Sequence, residues 1–170
     1  EAVESSIDSM QALKNDFISF IKTIASTEYC TPELFQDFFE RLLQTYEDND
    51  IELLEGSDLP SYLEDNFRFF NYEFFLSFTA VMVNTGRFDI ISEIVRTSFC
   101  IIPRRRLVQA EERTFRRFQS YVGTLNRVKH DITNSRRISI SADTVRQYAT
   151  VVKFEDLVSA DILLYYLSLI

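Results

Sequence analysis

The chain has 170 residues, enough for one domain that buries its own core without disulfide or metal staples. Its 16 Phe and 8 Tyr stand against 3 Gly and 3 Pro, which excludes an all-β protein with its frequent turns and favours long helices on short loops. A net charge of −8 opposes a general affinity for phosphate backbones.

From Val3 to Ala25, apolar residues recur at helical spacing: Val3, Ile7, Met10, Leu13, Phe17, Phe20, Ile21 and Ile24. Thr31, Pro32 and Glu33 start a second helix, because Thr caps, Pro fits the first helical position and Glu suits the positive end of the dipole. This helix runs to about Tyr46 and buries Leu34, Phe35, Phe38, Phe39, Leu42 and Leu43. Glu47 to Pro60 is acidic and reads as a loop. A third helix runs from Leu59 or Ser61 through Thr85, with a break expected near Asn66. Its second half is apolar nearly all round, which predicts the central, most buried helix, and Gly86 ends it in a left-handed cap.

Arg87 to Ser98 reads as a shorter helix with Phe88, Ile91, Ile94 and Val95 inward. Phe99 to Pro103 is extended or turning. Glu111 to Val122 is predicted helical, with Phe115, Phe118, Tyr121 and Val122 as its stripe and Gly123 as its stop. Leu125 to Ile132 is a short helix, Arg136 to Ser141 is extended, Ser141 caps a helix to about Val151, and a last helix starts near Phe154. From Ile162 onward that helix is apolar on almost every face, with Asp161 at its midpoint needing a partner such as an Arg if buried. Cys30 and Cys100 lie beside apolar residues and are expected to be reduced core thiols of a cytoplasmic protein. The expected fold is all-α, a single compact domain of six to eight helices with a Phe-rich core, cut from a longer protein.

Charge is divided along the chain. Residues 1–66 carry 16 acidic and 3 basic side chains, whereas residues 104–137 carry 10 basic and 3 acidic ones. Arg104, Arg105, Arg106, Arg113, Arg116, Arg117, Arg127, Lys129, Arg136 and Arg137 therefore form the candidate partner-binding surface. Phe115, Phe118 and Tyr121 interleave with these arginines, a pattern suited to stacking on single-stranded nucleic acid. The same spacing also points the rings into a core and the arginines outward. The first reading is docking, either within one protein or on a protein partner, and nucleic-acid binding is the second.

Motifs for chemistry are lacking. One His and two distant Cys do not make a zinc site. Asp48, Asp50 and Glu52 alternate as calcium ligands would, but Gly56 comes late and no Glu closes the loop. Three glycines leave no phosphate-cradling loop, and a serine nucleophile has a single His to serve as base. No cofactor is assigned, no catalytic residue is assigned, and no stretch is apolar and long enough to read as a membrane span.

Three phrases resemble helical regions of large bacterial proteins of the anti-phage or stress-response type: Phe74 to Phe78 followed by Asn84 to Phe88, Phe115 to Tyr121, and Phe154 to Leu164. The resemblance covers about half the chain. It implies a sensing, scaffolding or regulatory domain beside an effector, and it marks no catalytic residue. Arg127 and His130 are similar to the Arg–His pair of the HEPN ribonucleases of bacterial defence. That family places its His further from the Arg and a polar residue next to it, whereas here Val128 follows Arg127, so a ribonuclease is the third reading.

Overall fold

A computed structural model describes the backbone of residues 2–50, 62–102, 110–119 and 140–170, and the side chains of 9–45, 67–102, 110–119 and 142–170. Six α-helices are described: α1 (Ala2–Ile24), α2 (Pro32–Asp50), α3 (Tyr62–Asn84), α4 (Phe88–Arg96), α5 (Ile140–Gln147) and α6 (Phe154–Leu167). Between α4 and α5 lie strands β1 (Phe99–Ile101) and β2 (Glu111–Arg113) and a 3-10 helix, Phe115–Gln119. The fold is all-α, with α3 at its centre.

Helix α3 is central because its second half is apolar around most of its circumference. Phe69, Phe70, Phe74, Phe75, Leu76, Phe78, Ala80, Val81 and Met82 are all buried. Helices α1, α2, α4 and α6 and the 3-10 helix pack around it. It runs without interruption past Asn66, where a break is expected from the sequence. Its end is closed by Gly86 at φ 72, with the Gly86 amide donating to the Val83 carbonyl at 3.1 Å and the Arg87 amide to Met82 at 2.8 Å. This double closure needs a left-handed residue, which glycine adopts without the Cβ penalty.

The core is a stack of rings. Phe75 lies parallel to Phe118 at 4.5 Å, and Phe39 meets Phe75, Phe78 and Phe118 edge-on at 5.0, 5.1 and 5.3 Å. Such offset and edge-to-face pairs add to what area burial contributes. Helix α6 closes the far side of α3 with Leu157, Ala160 and Leu164, an i, i+3, i+7 stripe. The Tyr72 hydroxyl donates to Asp161 at 2.9 Å, and the Asn84 amide to Asp156 at 2.9 Å.

Several sequence expectations give way to tertiary context. Glu111 to Gln119 is a strand and a 3-10 helix instead of one α-helix. Glu111, Glu112 and Arg113 pair antiparallel with Ile101, Cys100 and Phe99, and the three-residue gap between Phe115 and Phe118 suits a 3-10 turn, where such positions eclipse. The other edge of β1 is met by α2: Gln44 accepts from the Ile102 amide and donates to its carbonyl, both at 2.8 Å, and Glu40 accepts from the Cys100 amide. Two polar side chains thus stand in for a third strand. Period-two alternation in β1 turns Cys100 outward, so it is exposed and not a core thiol, whereas Cys30 is buried. Helix α2 continues through Asp50, and α5 already includes Ile140 and Ser141. Phe88 is exposed, and Ile90 takes the inward position expected of it. The expectations for Leu125 to Ile132, Tyr121, Val122, Gly123 and most of the acidic loop fall outside the described residues.

Candidate functional site

Of the ten basic candidates, Arg104, Arg105, Arg106, Arg127, Lys129, Arg136 and Arg137 fall outside the described residues, as does His130. The remaining three sit at the β2 corner. Arg113 is paired with Glu111. Arg117 is half-buried, and Arg116 is exposed. Phe115 and Phe118, which interleave with them, are 5% and 1% exposed. These two rings belong to the core, and neither presents a face on which a base could stack.

Arg116 stands at the rim of a trough of about 630 Å³ between α4, the 3-10 helix and α6. Ile91 and Val95 come from α4, Phe115 from the 3-10 helix, and Leu163, Leu167 and Ile170 from α6 and the residues after it. Leu163, Leu167 and Ile170 follow an i, i+4, i+7 spacing, so one face of α6 forms a wall. Phe88 and Arg96 complete the rim. Among the described residues neither Arg96 nor Arg116 takes part in an ion pair. The apolar surface continues beyond the trough, because Ile162, Tyr165, Tyr166 and Leu169 are all more than half exposed. Asp161 is exposed too and accepts from Tyr72, so it needs no Arg.

A second recess lies between α1, α2 and α3. Each of these helices carries an apolar arc wider than the core can cover. On α1, Lys14, Ile18, Ile21 and the following Ala25 face inward. The adjacent stripe of Met10, Leu13, Phe17 and Phe20 lines the recess instead, with Leu13 and Phe20 exposed. On α2, Phe35, Phe39 and Leu43 face the core, while Leu34, Phe38 and Leu42 face the recess. Helix α3 contributes Phe67, Phe70, Asn71 and Phe74.

Beneath this surface is an ion pair that sequence reasoning misses. Lys14 of α1 and Glu73 of α3 are each 3% exposed and meet at 3.1 Å. Lys14 also donates to the Tyr148 carbonyl at 3.1 Å, which ties α1 and α3 to the end of α5. Burial raises the Glu73 pKa above the usual carboxylate value, outweighing the opposing pull of Lys14. The signal available in the sequence is weak: a Glu inside an otherwise apolar helix, with no indication of its partner.

Arg87 is likewise structural. Its guanidinium donates to the carbonyls of Ala25 and Cys30 at 3.1 and 2.9 Å, closing the turn between α1 and α2, and it pairs with Asp89. Among the described residues no three His, Cys, Asp or Glu side chains converge as metal ligands, and no helix is long and apolar enough to cross a membrane.

The class defined by this geometry is an all-α domain with a phenylalanine core and two open apolar recesses. No family model, curated protein or solved structure matches the chain.

Proposed function

We propose that this chain is a non-catalytic docking and regulatory module of a larger bacterial protein, and that it receives an acidic, amphipathic helix of a protein partner or a neighbouring domain. The observation that carries this reading is the pair Arg96 and Arg116, without ion-pair partners among the described residues, on the rim of the α4–α6 trough. An apolar wall with i, i+4, i+7 spacing takes the matching face of a helix, and arginines on its rim select Asp or Glu on the flanks of that helix. The exposed apolar strip of α6 extends the contact. The resemblance of half the chain to helical regions of large bacterial defence and stress-response proteins supports a setting beside an effector domain.

The test is selection from a displayed library of helical peptides. The selected sequences are expected to share apolar residues at i, i+4 and i+7 with acidic flanks. Binding, followed by fluorescence anisotropy, is expected to weaken about tenfold or more in an Arg96→Glu/Arg116→Glu variant and to fall with salt. Binders with basic flanks, or affinity unchanged in that variant, overturn the proposal. The same assay with single- and double-stranded oligonucleotides at low salt addresses the nucleic-acid reading. That reading requires binding by the parent and its loss in an Arg104→Glu/Arg105→Glu/Arg106→Glu variant. A ribonuclease requires activity abolished by His130→Ala.

A further inference from the structure

Among the described elements α6 packs chiefly on α3, through the stripe Leu157, Ala160 and Leu164. Leu163 and Leu167, which wall the trough, follow on one side of that stripe. A third line of side chains faces away from both. In it Val158 is 40% exposed, Ile162 53%, Tyr165 59% and Leu169 64%. At about 100° per residue, this line lies roughly 140° around the helix axis from the trough wall. A helix seated in the trough therefore reaches Tyr166, which stands between the two, but not this line. Leu169 belongs to the line although α6 ends at Leu167. Ser168 keeps helical backbone angles, and the Leu169 amide donates to the Tyr166 carbonyl at 3.2 Å.

The spacing of the line is that of a helix-pairing seam. Ile162 and Leu169 fall at the a positions of a heptad, and Val158 and Tyr165 at the d positions. Read in reverse, the seam complements itself. Antiparallel pairing sets a against d, so Val158 meets Leu169 of a second copy and Ile162 meets its Tyr165. Each layer then joins a smaller side chain to a larger one, and the two-fold axis passes midway between Ile162 and Tyr165. A two-fold interface requires this, the same patch on both chains and complementary to itself.

Charge and area agree with that occupant. The next a position before Val158 is Glu155, which is exposed. Parallel pairing would set two Glu155 carboxylates side by side on the seam. Antiparallel pairing places them at opposite ends, about 25 Å apart along the axis, well beyond the ~8 Å over which charges act in physiological salt. With Tyr166, 63% exposed, the seam leaves roughly 600 Å² open on each chain, so a pair covers roughly 1,200 Å², the lower bound of specific interfaces.

We propose that this face of α6 is the contact of a reversible two-fold dimer, in which it packs antiparallel against the same face of a second copy of the chain. The contact leaves the trough open and does not depend on what the trough binds.

The experiment is sedimentation of the whole chain over a range of concentrations. A monomer–dimer equilibrium with a Kd on the order of 10 µM is expected. Ile162→Glu, which enters such an interface twice, is expected to raise the Kd at least about thirtyfold with the circular dichroism of the parent retained. Arg96→Glu/Arg116→Glu is expected to dimerise as the parent does. Salt is expected to strengthen the dimer, because it screens the repulsion between two chains of net charge −8, whereas helix binding in the trough falls with salt. Orientation is read by disulfide trapping in a Cys100→Ser background. Val158→Cys and Leu169→Cys chains are expected to crosslink when mixed, and a Val158→Cys chain alone is not. The proposal is overturned if the parent stays monomeric to about 100 µM, a tenfold excess over the expected Kd. It is equally overturned if Ile162→Glu leaves the dimer intact, if salt weakens it, or if Val158→Cys crosslinks to itself.

Discussion

Replacing Lys14 by Met leaves Glu73 buried with no opposite charge beside it. Both residues of the pair are 3% exposed, so water cannot replace the lost ammonium. The remaining donor, Gln11, is 3.5 Å from the carboxylate, too far for a strong bond. Breaking one half of a buried pair typically costs about 3–5 kcal/mol, a large part of the roughly 5–15 kcal/mol that holds a domain together. The loss also depends on pH. The folded-state pKa of Glu73 is already raised by burial, so the folded chain holds this proton more tightly than the unfolded chain. Its contribution to stability is therefore greatest below the ordinary carboxylate pKa and is lost as pH rises through the folded value. Removing Lys14 removes both of its contributions that lower this pKa, its charge and its hydrogen bond, and extends the window further toward neutral pH. Urea unfolding followed by far-ultraviolet circular dichroism is the assay. The stability gap between parent and Lys14→Met is expected to be about 3 kcal/mol or more at pH 7 and to shrink toward pH 5, by about 1.4 kcal/mol for each unit of added pKa shift. A Lys14→Met/Glu73→Leu double variant is expected to recover most of the loss, since a well-packed apolar pair often matches a buried ionic one. A gap below about 1 kcal/mol, or one of equal size at pH 7 and pH 5, refutes the reasoning.

Two further predictions test other parts of the fold. Gly86→Ala meets nothing within 4 Å of the added Cβ, so its cost is backbone strain alone, about 1–2 kcal/mol by thermal or urea unfolding, and an unchanged stability would contradict the left-handed cap. Toward a thiol reagent the native chain is expected to release one fast equivalent from exposed Cys100, whereas Cys30 reacts on the timescale of unfolding, because burial hides it and pushes its thiol pKa up; a Cys100→Ser variant that still reacts rapidly counts against this placement.

How much of this was legible in the sequence differs between elements. The apolar period and the turn residues locate the helices well, because Pro32 and Gly86 carry local backbone preferences that tertiary contacts do not contest. Helix α3 is legible as central because its second half is apolar nearly all round, with Glu73, Ser77, Thr79 and Asn84 as its polar members. The region around Glu111 is not legible. Three charged residues have no intrinsic preference for a strand, and they adopt one because β1 offers its backbone there. The recesses are half-legible. Stripes such as Leu34, Phe38 and Leu42 beside Phe35, Phe39 and Leu43 show that an arc is too wide for one contact, but periodicity does not say which half is covered. The Lys14–Glu73 pair joins positions 59 residues apart, and spacing carries no information at that range. Arg116 belongs to the basic run and is exposed, but the companion that gives it a setting, Arg96, lies on α4 outside that run.

The all-round burial of α3 has a consequence for synthesis of the chain. The ribosome delivers α1 and α2 before α3, and these cover one side of it, but α6, which covers the opposite side, is the last of the described helices to emerge. For the whole time that residues 85–153 are being made, half of the most buried helix in the protein has no lid. Those intervening residues carry 14 of the chain's 18 Lys and Arg side chains and include the basic run. A nascent chain stalled before Phe154 thus carries a bare greasy ridge, and premature truncation there predicts aggregation instead of a smaller folded domain.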